Sequence, residues 1–149
     1  MVKNYVNGRE KTNRVIMNTL TGNITHIETS EELSLVKIAV GETVFTSIVI
    51  DTPETLNYLK VGNDITLYFK ETEVIIAKTE NLEISIQNRI PCTISNINEG
   101  KILTEITLKF KQNTIHSIIT TNACKQLNLQ VNGAVLALVK TNEISIAAK

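Results

Sequence analysis

Few side chains in this sequence are typed and spaced for chemistry, and those that are donate hydrogen bonds and do not attack. A nucleophile needs a base to activate it and a third group to orient that base, and no such arrangement is written here. Glu31 and Glu32, the only adjacent carboxylates, fall where a solvated surface turn is expected, not an acid/base dyad. There is no P-loop and no glycine-rich dinucleotide fingerprint. Cys92, Cys124, His26 and His116 are scattered, so neither a cation site nor a disulfide framework is encoded, and two free thiols are expected. What does recur is a set of short donors at element ends: Asn18 and Asn88 before a first strand, Lys70 and Lys140 at the end of a fourth. The stretch Thr120-Thr121-Asn122-Ala123 adds two hydroxyls and the backbone N–H groups of a helix start. Donors unaccompanied by acids suit an anion, which hydroxyls, amides, an ammonium and oriented N–H groups can hold together. Binding is expected, and an enzyme is not.

The elements that must position these donors come in two copies. Sliding the chain by 70 residues pairs 15–79 with 85–149 and gives 13 identities in 65 pairs, where composition alone would give about five. Among them are Asn18 with Asn88, Ile24 with Ile94, Ser47-Ile48 with Ser117-Ile118, Leu59 with Leu129 and Lys70 with Lys140. Apolar exchanges such as Val36/Ile106, Ile38/Leu108 and Val74/Ile144 fill the rest, as two copies of one core require. Within each copy the apolar period is two, seen in Leu20–Ile27 and Leu103–Phe110, and β-branched residues abound. One segment breaks that period. Thr52–Leu59 has a hydroxyl cap, Pro at the first helical position, an acid next and leucines three apart, so a short helix is predicted there and in its partner, Asn122–Leu129.

Three strands, a short helix and two strands is the order of an OB-type barrel. The predicted fold is mainly β: two tandem OB-type five-stranded Greek-key barrels, each with one short helix, over residues 15–79 and 80–149 after a tail of 1–14 that is given no function. Copies this small bury a modest fraction of their surface, so the halves are expected to pack together or to oligomerise.

The 149 residues are 42% hydrophobic and 20% charged, with 15 basic and 15 acidic side chains, which gives a folded chain with no bulk field to gather nucleic acid or an anionic membrane. Aromatics are 4% with no Trp, and Phe45, Tyr68 and Phe69 lie in strand patterns that read as core, so the stacking face of a nucleic-acid-binding OB barrel is thin. No run approaches the ~20 apolar residues of a spanning helix, and the start is polar. The protein is expected to be cytoplasmic, with no membrane and no nucleic acid among its partners.

The second copy resembles the molybdate-binding Mop module of the molbindins, also called the TOBE domain, tandem copies of which form the di-Mop proteins. The resemblance rests on Ser85-Ile86-Gln87-Asn88 in place of Ser-Ala-Arg-Asn, on the span from Ile119-Thr120 to Leu127-Asn128-Leu129, and on Ala137-Leu138-Val139-Lys140-Thr141 followed by Ile144-Ser145-Ile146-Ala147. It implies a trimer that binds molybdate or tungstate between subunits for storage or homeostasis, without an organic cofactor. By position it implies Ser85, Asn88, Thr120 and Lys140 as contacts, with Gln87 beside them and backbone amides around Thr141. Gln87 replaces the family's Arg, trading a bidentate cation for a neutral amide. In the first copy Val15, Met17 and Ile50 replace the Ser, Arg and Thr, and only Asn18 and Lys70 remain. The alternatives are an OB-type interaction or nucleic-acid module that has lost oxyanion binding, and a sensor subunit of a molybdate regulator or transporter.

Overall fold

The computed structural model describes residues 16–78 and 81–149, with the backbone of Tyr5–Val6 (β1) and Arg9–Glu10 (β2), which pair antiparallel. The tail expected over 1–14 otherwise lies outside the described residues. The first repeat supplies β3 (Met17–Ser30), β4 (Leu33–Val40), β5 (Thr43–Val49), β6 (Asp64–Lys70) and β7 (Ile75–Ala77). The second supplies β8 (Asn88–Glu99), β9 (Leu103–Phe110), β10 (Asn113–Thr120), β11 (Ala134–Val139) and β12 (Ser145–Ala148). Alternation sets the faces: β4 buries Ser34, Val36, Ile38 and Val40 and turns the residues between them outward. Among the described residues no helix is long and apolar enough to cross a membrane.

The ten strands form two five-stranded sheets, in the orders β12-β6-β3-β4-β5 and β10-β9-β8-β11-β7. Each sheet thus takes one edge strand from the other repeat. β12 pairs antiparallel with β6, setting Ser145 opposite Tyr68, and β7 pairs antiparallel with β11, setting Leu138 opposite Ala77. The chain divides into two compact units along the same lines, one holding Thr19–Phe69, Ser85–Asn88 and Val139–Lys149, the other centred on Arg89–Leu138 with β7. The division at 79/80 therefore marks the repeat in the sequence, while the compact units cut across it. The physical reason is that β7 and β12 are short and alternate in the same period, so each satisfies an edge in either sheet and register alone does not choose the partner.

Each unit joins its two sheet edges through a buried hydroxyl. Ser117 Oγ of β10 donates to the Val74 carbonyl, just before β7, at 2.8 Å. Ser47 Oγ of β5 donates to the Ile144 carbonyl, just before β12, at 2.6 Å. Bulges recur 70 residues apart, between Ile24 and His26 and between Ile94 and Asn96, and the extra residue's hydroxyl reaches an equivalent carbonyl in each case: Thr25 to Lys37 and Ser95 to Thr107. Ile24, Ile38, Phe45, Ile65, Leu67 and Phe69 fill one core, and Ile90, Ile94, Ile106, Leu108, Phe110 and Ile115 the other.

The helices differ. In the second repeat α1 spans Thr121–Gln126, with Thr120 as its cap: the Thr120 hydroxyl accepts from the Ala123 N–H at 3.0 Å. The helix predicted over Thr52–Leu59 is instead a run of turns. Thr55 Oγ1 accepts from the Thr52 N–H and donates to Asp51 Oδ1 and the Thr52 carbonyl, and such local side-chain bonds compete with helical ones. Only Leu56 makes an i to i+4 bond there, to Thr52 at 2.9 Å.

If the hydroxyl bridges close the units, Ser117→Ala leaves the Val74 carbonyl without its partner in a buried place. The expected outcome is a loss of about 1–3 kcal/mol in unfolding free energy by urea denaturation, with Ser47→Ala losing a similar amount. An unchanged midpoint in both would show that the bridges carry no stability.

Candidate functional site

The asparagines expected to face an anion are buried, at 2% exposure for Asn18 and 1% for Asn88. Each side-chain amide grips the backbone of one residue from the other repeat. Asn88 Nδ2 donates to the Thr46 carbonyl at 2.8 Å and its Oδ1 accepts from the Thr46 N–H at 2.7 Å. Asn18 does the same to His116, at 2.9 Å and 2.7 Å. The carbonyl oxygen and one N–H of each amide are thereby committed to holding a strand.

These grips set where the remaining donors lie. Thr46 and Ser47 are consecutive on β5; the first is held by Asn88 and the second bonds Ile144. The segment Ser85–Asn88 and the turn Lys140–Ile144 are thus fastened to neighbouring residues of one strand, inside one unit. That unit brings together Ser85, Gln87, Asn88, Lys140 and Thr141; Ser85, Gln87 and Lys140 are exposed and Thr141 is half-buried. Thr120 lies in the other unit with Asn18 and Lys70, where Asn18 and Val74 attach to the consecutive β10 residues His116 and Ser117. Thr120 is exposed, and its hydroxyl, accepting from Ala123, keeps its own proton to donate outward.

Other groups are spoken for. The Arg89 guanidinium donates to the carbonyls of Leu82 at 2.5 Å and Ile84 at 2.8 Å, so it steadies the approach to Ser85. Burial pushes the Cys92 thiol up to about 12, partly offset by a backbone hydrogen bond with Ala137, and burial also raises that of Cys124; neither is a poised nucleophile. Phe45, Phe69 and Phe110 are all in the cores, which leaves no Phe platform on which bases could stack. The serine bridges and the buried Glu71 were not singled out from the sequence; Ser47 and Ser117 appear there only as a repeated identity, without a sign of their partners.

The profile of the TOBE domain matches residues 84–146, the stretch that carries Ser85, Asn88, Thr120 and Lys140. Over that stretch the second repeat is similar to the TOBE domain. A curated relative, the molybdenum transport protein ModE of Azotobacter vinelandii, is 23% identical over 90 residues, covering 60% of this chain and 33% of ModE. The chain therefore spans about a third of that relative's length. A solved structure of the cytoplasmic molybdate-binding protein ModG, with molybdate bound, superposes on 89% of this chain and 96% of its own, with a TM-score of 0.82 at 20% identity. The two repeats together have the fold of that ModG structure. A molybdate-binding protein from Sporomusa ovata covers 40% of the chain at 29% identity, with a TM-score of 0.39.

Since the Asn88 amide anchors β5, Asn88→Ala is expected to lower stability by about 2–4 kcal/mol with no oxyanion present, because the buried Thr46 N–H and carbonyl both lose their partner. Asn18→Ala should behave alike. Urea denaturation of the ligand-free variants checks this; wild-type stability in Asn88→Ala would return the residue to a purely ligand-facing role.

Proposed function

We propose that this protein binds molybdate or tungstate in the cytoplasm, for storage or homeostasis, by holding the anion without transforming it. The observation that supports the reading is the attachment of Ser85–Asn88 and Lys140–Ile144 to consecutive residues of β5, which puts two hydroxyls, two amides and an ammonium in one unit, as Ser85, Thr141, Gln87, Asn88 and Lys140. The TOBE match over the same residues and the ModG fold support it. We read each five-stranded sheet, with its edges joined by a serine bridge, as an OB-type barrel, so that the chain holds two in tandem.

Selectivity follows from chemistry. A tetrahedral pocket whose walls offer only donors accepts a dianion; its size rejects sulfate, and the absence of an acceptor rejects protonated phosphate. Lys140 supplies the charge, and Gln87, standing where the family has Arg, weakens the grip. Ser85, Gln87 and Lys140 are exposed in the single chain, where water competes for every donor. A second copy laid over them, supplying Thr120, would exclude that water, and this is why we read the working form as a homo-oligomer, a trimer as in the family. The buried Phe rings disfavour the nucleic-acid alternative.

Isothermal titration tests the proposal. Molybdate or tungstate should bind with micromolar or tighter affinity while sulfate gives no heat, and Lys140→Ala should weaken binding at least about tenfold, the loss of one charge-assisted contact. Silence with all three anions from a folded sample would contradict it, and salt-sensitive binding to single strands would favour the interaction module.

A further inference from the structure

We infer that the first repeat carries a contact between copies of this chain that needs no oxyanion, in which Ile50 of one copy, with the carboxylates beside it, covers Met17 and Lys70 of another. The inference rests on the function proposed above and deepens it by naming what holds the copies together. In that reading Thr120 of one copy lies over Gln87 and Lys140 of the next. The 70-residue register sets Ile50 opposite Thr120, Met17 opposite Gln87 and Lys70 opposite Lys140. The hydroxyl and the amide on the two sides of the anion contact are thus an isoleucine and a methionine in the first repeat. A change from donor to apolar side chain on both sides of one contact removes the anion's partners and supplies two surfaces that gain from leaving water together.

Both residues are open to a partner. Ile50 is 77% exposed and Met17 43%, so neither is committed to its own core, and an isoleucine that open forgoes its gain from burial unless something covers it. Ile50 and Lys70 belong to different compact units, as Thr120 and Lys140 do, so both contacts run from one unit of a copy to the unlike unit of the next. Charge fits as well. Ile50 lines a cavity of about 180 Å³ with Glu32, Asp51, Thr52 and Thr55, and Lys70 is exposed. Opposite Glu32 and Asp51 in the second repeat stand Ile102 and Thr121, so the two carboxylates are confined to the corner that carries Ile50. In the second repeat an oxyanion brings negative charge to Lys140; here the carboxylates of a neighbouring copy bring it to Lys70. An exposed ion pair contributes little on its own, so the apolar contact provides most of the affinity and the charges set which surfaces meet.

Sedimentation equilibrium of the full chain, in buffer free of molybdate and tungstate, tests the contact. The wild-type chain should form a discrete oligomer. Ile50→Asp, shown to be folded by circular dichroism, should weaken association at least about tenfold, the loss of one covered isoleucine, and Met17→Asp should act alike. Lys70→Glu should weaken it too, and Glu32→Lys added to Lys70→Glu should recover part of that loss, which a role confined to one chain's own fold would not produce. A single-chain mass for the wild type, folded Ile50→Asp and Met17→Asp variants that associate as the wild type does, or a charge-swapped double variant no better than Lys70→Glu would overturn this inference and leave the molybdate titration to decide the proposed function. Oligomers that form without an anion and dissociate with Ile50→Asp, from a chain that gives no heat with molybdate or tungstate, would overturn the proposed function and leave this contact standing.

Discussion

The structure depends on a reciprocal grip between repeats, made by two side chains in each direction. Asn88 and the carbonyl of Ile144 fasten to Thr46 and Ser47 on β5; Asn18 and the carbonyl of Val74 fasten to His116 and Ser117 on β10. All four contacts are hydrogen bonds in buried or part-buried places, where leaving either partner unpaired is expensive. Because each sheet takes its last strand from the other half of the sequence, neither half has a complete set of strands of its own. A repeat of about 65 residues buries only a modest fraction of its surface, and the exchange ties the formation of one core to that of the other.

The same grip brings binding chemistry together. The last strand of a repeat arrives in the other unit with the turn before it, so β12 brings Lys140 and Thr141 to the unit that also receives Ser85–Asn88. Sequence neighbours of the anchoring groups are exposed donors: Ser85 and Gln87 stand just ahead of Asn88, and Lys140 four residues ahead of Ile144. Buried amides and carbonyls fix the backbone, and the exposed donors beside them are positioned without a charge having to be buried in the free protein. In the first repeat the frame survives, down to φ and ψ at the Lys70 and Lys140 corners, with Asn18 and Lys70 kept while Val15, Met17 and Ile50 stand opposite Ser85, Gln87 and Thr120.

Much of this was legible in the residues, and the parts that were not share a cause. The ten strands and the spacing of 70 followed from period two and repeated identities, because alternation is imposed locally by the pleat. The strand exchange left no such mark, since a three-residue strand such as Ile75–Ala77 reads the same whichever sheet it joins. Thr52–Leu59 carried a cap, a proline and two leucines, yet the Thr55 hydroxyl bonds the Thr52 backbone and the Asp51 carboxylate, and turns result. Asn18 and Asn88 were legible as a repeated donor pair, but their partners lie 98 and 42 residues away and only the fold supplies them. Lys140 and Thr141, by contrast, fall in the same compact unit as Ser85–Asn88.

The central claim, that the second repeat's donors hold an oxyanion, is tested most directly by crystals grown with tungstate and measured at a tungsten absorption edge. The account predicts anomalous density beside Lys140 and Thr141, ringed by Ser85 and by Thr120 of another copy. No density at Lys140 in crystals that hold tungstate elsewhere would contradict it.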